Sequence, residues 1–311
     1  MAHTHSHNGH SHSHDHGHMH GPITNINTAF VVGIVLNLAF VVIEAGVGLY
    51  SKSLALLTDA GHNLSDVASL ALALLAFRLA KVKPTHTFTY GYRKTTILVA
   101  LLNAVILLIA IGGIGYEAAM RLNHTQPIEG REVAIVAGVG ILINSLTAFL
   151  FFRSQHTDLN IKGAYLHMAA DALVSLGVVF AGLLISATGW YWVDSITSFI
   201  VIIVILIGTW GLLRDSIILS LDGVPKDINL DEVESKALQI KGIHKIHHIH
   251  IWAISTTENA LTAHLVLDSN TDFEAADQIK KKLRHELEHM NIQHATFETE
   301  LVTQECTSKQ C

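Results

Sequence analysis

Charge is what this chain has least of. Of its 311 residues, 15% are Asp, Glu, Lys or Arg and 50% are hydrophobic, whereas a soluble domain carries about a quarter charged residues. The deficit points to a membrane protein. Its placement agrees: long apolar runs fill residues 29–213, and charge rises sharply after them. Cysteine is scarcer still. The two present, Cys306 and Cys311, stand at the C-terminal end, so there is no disulfide framework, which fits a cytosolic or intramembrane setting. No basic stripe of the kind that holds nucleic acid occurs, so nucleic acid is not an expected partner. The formal net charge of −6 treats all 22 histidines as neutral. Protonating part of them near pH 6 reverses the sign, so net charge says little about partners. The first twenty residues lack the basic start and apolar core of a cleaved signal peptide, and the first membrane span itself is expected to direct targeting. Barrel-type alternation is also missing from the apolar runs, which leaves helices as the spanning elements.

Residues 1–22, "MAHTHSHNGHSHSHDHGHMHGP", set nine histidines among Ser, Gly, Asn and Asp. Such a segment cannot bury a core and reads as a disordered cytoplasmic tail when metal-free. Six apolar stretches follow, near Ala29–Tyr50, Leu54–Leu79, Thr95–Ala119, Val133–Phe152, Ile161–Ala187 and Trp192–Leu213. Each is long enough for a helix to cross a hydrocarbon core of about 30 Å. Arg78, Lys81, Lys83, Arg93 and Lys94 lie around the second connection, Arg153 and Lys162 around the fourth, and Arg214 closes the sixth stretch. The opposite connections hold only Lys52, Arg121 and Arg131. Basic loops stay inside, so both termini are expected in the cytoplasm.

From Asp215 the pattern turns soluble. "LDEVESKALQI" (230–240) has helical spacing, and "IHKIHHIHIWAI" (243–254) and "NALTAHLVLD" (259–268) read as strands. "FEAADQIKKKLRHELEHM" (273–290) reads as an amphipathic helix and "HATFETELV" (294–302) as a last strand. The expected fold is an α-helical membrane protein: a tail over 1–22, a six-transmembrane-helix bundle over 23–214, and a cytoplasmic α+β domain over 215–303. That domain has the order αββαβ with helices on one face of its sheet, and a short tail over 304–311 follows.

Two spans carry ionisable residues in one pattern. "LTDAGHNLSDVASL" places His62 and Asp66 four residues apart, and "GAYLHMAADALVSLG" does the same with His167 and Asp171. Spacing of i, i+4 puts each pair on one helix face. Turned toward each other, the two faces supply two imidazoles and two carboxylates, a full tetrahedral set for zinc. Depth supports the match. His62 lies about 12 Å and Asp66 about 18 Å below the outer edge of the second span; His167 lies about 9 Å and Asp171 about 15 Å above the inner edge of the fifth. Intramembrane ionisable residues mark ion paths by default. The competing reading, interhelical glue, is harder to hold for two such pairs at one depth. Asp59, a turn before His62, stands either as an outer carboxylate of the same face or as a helix-end group. Glu44, Asn37 and Asn144 are cavity-lining candidates, with interhelical hydrogen bonding the plainer use of the two asparagines.

With these residues in view, the chain resembles the cation diffusion facilitator family over about residues 27–303. "SLALLTDAGHNLSD", "HTFTYGYRKTTILVALLNA", "IKGAYLHMAADALVSLGVV", "WVDSITS" and "HHIHIWAIS" carry the resemblance. It implies a homodimeric secondary transporter, not an enzyme, that exports divalent cations in exchange for protons, with His62, Asp66, His167 and Asp171 as the transport site. His at the first position of the second-span motif implies a preference for zinc over cadmium. The resemblance also implies a metallochaperone-like cytoplasmic domain that binds regulatory zinc through His247, His264 and Glu300. His248 departs from the family pattern, which leaves the choice between His247 and its neighbours open. On a regular strand His248 and His250 share one face and His247 the other. Some members carry a zinc-binding C-terminal cysteine pair, so Cys306 and Cys311 are candidates, with free thiols on a loose tail as the alternative. His86 is a candidate for an accessory site in the second connection, and His156 and Asp158 for transient metal capture. His285 and His289 read as a solvated helix face. The His-rich tail is suited to collecting metal at the cytoplasmic entrance.

Zinc and protons, the lipid bilayer and a second copy of the chain are thus the expected partners, in a multi-pass membrane protein of the bacterial inner (plasma) membrane. An intramembrane metalloenzyme fits poorly. No HExxH is present, and four protein ligands leave no open catalytic position. A sensor or store gives six spans no purpose. A channel is the closer rival, separated from a carrier by saturation and by dependence on a counter-gradient.

Overall fold

The structure, a computed structural model, describes residues 26–51, 54–123, 131–188, 190 and 192–302. The His-rich segment 1–22 and the cysteines Cys306 and Cys311 lie outside the described residues. Six long helices come first: α1 (Ile26–Ser51), α2 (Leu54–Ala80), α3 (Thr95–Asn123), α4 (Arg131–Phe152), α5 (Leu159–Thr188) and α6 (Trp192–Ser220). Helix α6 continues to Ser220, past the expected domain boundary at 214.

These helices are apolar on their outer faces as well as inside. Val42, Ile109, Leu142, Phe149 and Ile207 are all more than half exposed. A helix bundle that shows hydrocarbon on its outside is stable in lipid, not in water. Among the described residues, three helices are long and apolar enough to cross a membrane, over Thr28–Val47, Thr95–Gly113 and Ile202–Ser220, and α4 has the shorter apolar run Gly138–Phe152. Helix α2 packs against α1, α3 and α5, and α5 packs against α3, α4 and α6, so the two helices that carry the His and Asp pairs share the interior. Phe30, Leu70, Phe151, Ile161 and Met168 pack together where α1, α2, α4 and α5 meet. Asn37 donates to Thr147 Oγ1 at 3.2 Å, tying α1 to α4, so its use is interhelical.

The soluble domain follows the expected order. Helix α7 (Leu230–Leu238) leads into strands β1 (Ile243–Ala253) and β2 (Asn259–Leu267), then α8 (Phe273–His289) and β3 (His294–Leu301). Asn229 and Asp272 start the two helices by accepting from the Asp231 and Ala275 amides at 2.9 and 2.8 Å. The sheet order is β1-β2-β3, antiparallel then parallel, with α8 as the crossover. Leu261, Leu265 and Leu267 of β2 meet Val233 of α7 and Ile279, Leu283 and Leu287 of α8 in one core. Period two along β2 therefore sends His264 to the opposite, open face.

The two parts meet through the β1–β2 turn. Arg93 pairs with Glu258, the Thr256 amide donates to Thr96 Oγ1 at 3.1 Å, and the Thr256 hydroxyl donates to Asp158. Asp158 in turn accepts from the Asn160 and Ile161 amides at 2.6 and 3.3 Å, capping α5. This corrects the reading of Asp158 as a transient metal acceptor: it is a buried cap. Burial pushes its carboxyl above the ordinary Asp range, against the opposing pull of the bonds from Thr256 and Asn160. Its ionisation thus works against folding, and the linked stability is lost as pH rises through the raised value. Asp158→Ala is expected to cost about 1–2 kcal/mol as a lost cap. Asp158→Asn keeps an acceptor without the buried charge. It should match or exceed the wild-type melting temperature at neutral pH and lose that edge on acidification toward the ordinary Asp value. Thermal unfolding in detergent micelles checks both.

Candidate metal centres

The first centre lies between α2 and α5. Asp66 is 2% exposed and His167 5%, and His167 Nε2 pairs with Asp66 Oδ1. Asp171, one turn along α5, places Oδ2 at 3.8 Å from the same nitrogen. One ligand atom from each of Asp66, His167 and Asp171 lies within 4.8 Å of the other two. The only Lys or Arg on either helix, Arg78 and Lys162, stand near the C-terminal end of α2 and the N-terminal end of α5. Two carboxylates this close repel each other unless a cation or protons sit between them. Asp66 Oδ2 has no hydrogen-bond partner among the described residues, which leaves it available as a ligand. His62 lies one turn before Asp66 in the backbone of α2, but its side chain and that of Asp59 lie outside the described residues.

Beside this group, Glu44 of α1 is fully buried and accepts from Asn63 Nδ2 at 2.8 Å. Glu44 therefore braces the α2 segment that holds His62 and Asp66. Asn144 is also buried.

The second centre lies on the open face of the cytoplasmic sheet. Glu300 of β3 is set between two histidines: His264 Nδ1 is 2.6 Å from Oε1 and His247 Nε2 is 3.3 Å from Oε2. His264 Nε2 lies 3.4 Å from Glu298, the kind of outer carboxylate that orients a metal-ligating imidazole. Neither Glu298 nor its role was visible in the sequence reading.

A one-residue bulge shapes this centre. His247 pairs with His264 and His250 with Thr262, so β1 spends one residue more than β2 between them. His248 takes up the extra residue with φ of 50°. The expectation that His247 and His248 point to opposite faces is thereby corrected. Their rings lie 4.8 Å apart, and His248 lies 4.9 Å from the His264 ring. The signal was present in "KIHHIHI": apolar residues fall at 246, 249 and 251, a phase break that a regular strand does not make. The His264 hydrogen bond, aided by the charge of His247, holds the Glu300 carboxyl below its ordinary range. Burial and the neighbouring His247 and His264 push His248 down.

The remaining candidates do not join these centres. His86 is exposed on the α2–α3 connection and belongs to no group of three or more ligand side chains among the described residues. His285 and His289 stack 4.7 Å apart on the exposed face of α8.

Comparison with known proteins gives the same division of the chain. Residues 30–219 match the family model described as the cation efflux transmembrane domain, and residues 225–297 match that of the cation efflux protein cytoplasmic domain. The chain is similar to the cadmium, cobalt and zinc/H(+)-K(+) antiporter of Bacillus subtilis, 38% identical over 263 residues, covering 84% of this chain and 85% of that protein. It resembles the metal cation efflux system protein CzcD of Cupriavidus metallidurans at 38% identity, covering 84% and 83%. It resembles the zinc transporter ZitB of Escherichia coli at 35% identity, covering 88% and 86%.

A depressed Glu300 pKa means that the linked stability is present above the ordinary Glu value and lost as pH falls through the lowered one. Metal-free Glu300→Gln is expected to melt slightly below wild type at neutral pH, by less than about 1 kcal/mol for so open a pair. The two should converge below the ordinary Glu value, as thermal unfolding at several pH values will read.

Proposed function

The chain belongs to the cation diffusion facilitator family of metal-efflux membrane proteins, and we propose that it exports zinc from the cytoplasm in exchange for protons, by alternating access around a site of His62, Asp66, His167 and Asp171. The observation that carries this reading is the convergence of Asp66, His167 and Asp171 between two interior helices. His62, four residues before Asp66, supplies the fourth ligand of a tetrahedral nitrogen and oxygen set. The relatives named for cadmium, cobalt and zinc, and for zinc alone, support a divalent cargo, and the histidine at position 62 favours zinc among them.

Proton exchange follows from ligand chemistry. Zinc needs neutral imidazole and ionised carboxylate, so protons compete for the same atoms. Opened to the proton-rich side, the site gives up zinc and takes protons on the histidines and a carboxylate. Opened to the cytoplasm, it loses them again and refills. Rocking of helices around a site fixed near the membrane midplane supplies the alternation. In this reading both termini are cytoplasmic, six helices span the bacterial inner membrane, and the cytoplasmic domain pairs with a second copy. That domain binds regulatory zinc at His247, His264 and Glu300. Their donor set of two imidazoles and one carboxylate fits zinc, and their separations approach the roughly 3.4 Å edge of a tetrahedron with ~2.1 Å bonds. Cys306 and Cys311 remain candidate thiolate ligands, and His86 a candidate for transient capture.

Zinc flux into liposomes, with and without an imposed pH gradient, tests the reading. Wild type is expected to show gradient-driven uptake, and Asp171→Asn to lose it at least 100-fold. Equal flux in both, indifferent to pH, overturns it. Deleting residues 2–20 is expected to raise the zinc KM severalfold with little change in maximal rate. Transport identical at all zinc concentrations contradicts a collecting role for the tail.

A further inference from the structure

We propose that His248 is a fourth ligand of the cytoplasmic metal centre, closing it as a three-histidine, one-glutamate site built within a single protomer. The inference rests on reading His247, His264 and Glu300 as zinc-binding, and it assigns what completes the shell.

The geometry comes from the bulge. A regular β1 would carry His247 and His248 on opposite faces. The extra residue between His247 and His250 turns both toward His264. It also keeps Ile246 and Ile251 facing the same core although they stand five positions apart, an odd offset. The backbone of His248 is left-handed, with φ of 50°, a conformation unfavourable to an L-residue with a Cβ and concentrated at functional sites.

Ring spacing is the quantitative argument. Imidazoles bound to one tetrahedral zinc by ~2.0–2.1 Å bonds have ring centres about 5.2 Å apart. The three pairs here are 4.8 Å (His247–His248), 4.9 Å (His248–His264) and 5.2 Å (His247–His264). The three ring centres therefore stand near the spacing that a shared ion requires; the ligand atoms already within 4.8 Å of one another are those of His247, His264 and Glu300, and His248 joins them by turning its ring nitrogen inward. Glu300 touches two of them and supplies the anionic donor. Glu298 holds the outer nitrogen of His264.

A shell of four protein ligands has no open position. Such sites hold metal as structure, whereas a site that keeps a water exchanges or activates it. Zinc bound here clamps β1 to β2 and β3 without needing a residue from a second copy. It acts on the hairpin whose turn holds Asp158 and Thr96.

The test is zinc affinity of the full chain in detergent, read by competition with a chromophoric chelator. Asp171→Asn, Cys306→Ser, Cys311→Ser and asparagine in place of the nine histidines of residues 1–22 are present throughout, to remove the cargo site and the zinc-binding ends. His248→Asn is the chosen variant because asparagine tolerates the left-handed backbone, and an unchanged metal-free melting temperature verifies the fold. Glu300→Gln and His247→Asn report the site itself, and His250→Asn, one bulge away on an exposed position, is the control. At least a tenfold loss of affinity in His248→Asn, with less than twofold in His250→Asn, is expected. Loss in Glu300→Gln and His247→Asn but none in His248→Asn overturns this proposal and leaves a three-ligand site. Unchanged affinity in all four overturns the zinc site and the proposal together.

Discussion

Ionised carboxylates are expensive in a hydrocarbon interior, and Asp66 and Asp171 are both held between α2 and α5 beside His167. Their mutual repulsion and lost hydration must be offset by something positive that can enter and leave. No fixed Lys or Arg stands mid-helix on α2 or α5 to do this permanently. In the proposed function the cluster takes two forms, one neutralised by a divalent cation and one by protons. Exchange, as proposed, is the alternation between those two forms. The surrounding helices supply an interior with no Lys or Arg mid-helix on α2 or α5, walled by apolar side chains whose outer faces suit lipid.

The cytoplasmic centre is joined to this interior by one hairpin. The strands of the hairpin carry His247, His248 and His264. Its turn carries Thr256, which bonds the cap of α5, and Glu258, which pairs with Arg93 at the foot of α3. Helix α5 in turn carries His167 and Asp171. A clamp on the hairpin and the start of a ligand-bearing helix are thus parts of a single hydrogen-bonded path, about which Asp158 is the buried centre.

Much of this was legible in the sequence because it rests on periodicity. Apolar runs set by lipid thickness gave the long helices, and i, i+4 spacing put His167 and Asp171 on one face, where the structure has them. "NALTAHLVLD" read as a strand, and the structure has it as regular β2, with His264 on the face away from the core. The failures came where a local rule was broken by a tertiary demand. Period two separated His247 from His248, but the core needed Ile246 and Ile251 on one side, and the bulge that reconciles them brings the histidines together. Asp158 looked like a loop carboxylate open to metal. Its cap role depends on Thr256, far away in sequence, and no local pattern shows such a partner. Glu298 was passed over because an exposed strand glutamate is ordinary until a histidine nitrogen is found beside it.

The central claim is that one cation binds to both carboxylates between α2 and α5. X-ray absorption at the zinc edge, on the full chain with the nine histidines of residues 1–22 replaced by asparagine, Glu300→Gln to disable the cytoplasmic centre, and Cys306→Ser and Cys311→Ser to remove the thiols, tests it most directly. The account predicts a bound zinc with about four nitrogen and oxygen neighbours near 2.0–2.1 Å and imidazole outer scattering, lost when Asp66→Asn is added. A spectrum unchanged by Asp66→Asn would contradict it, and would place the metal outside the bundle interior.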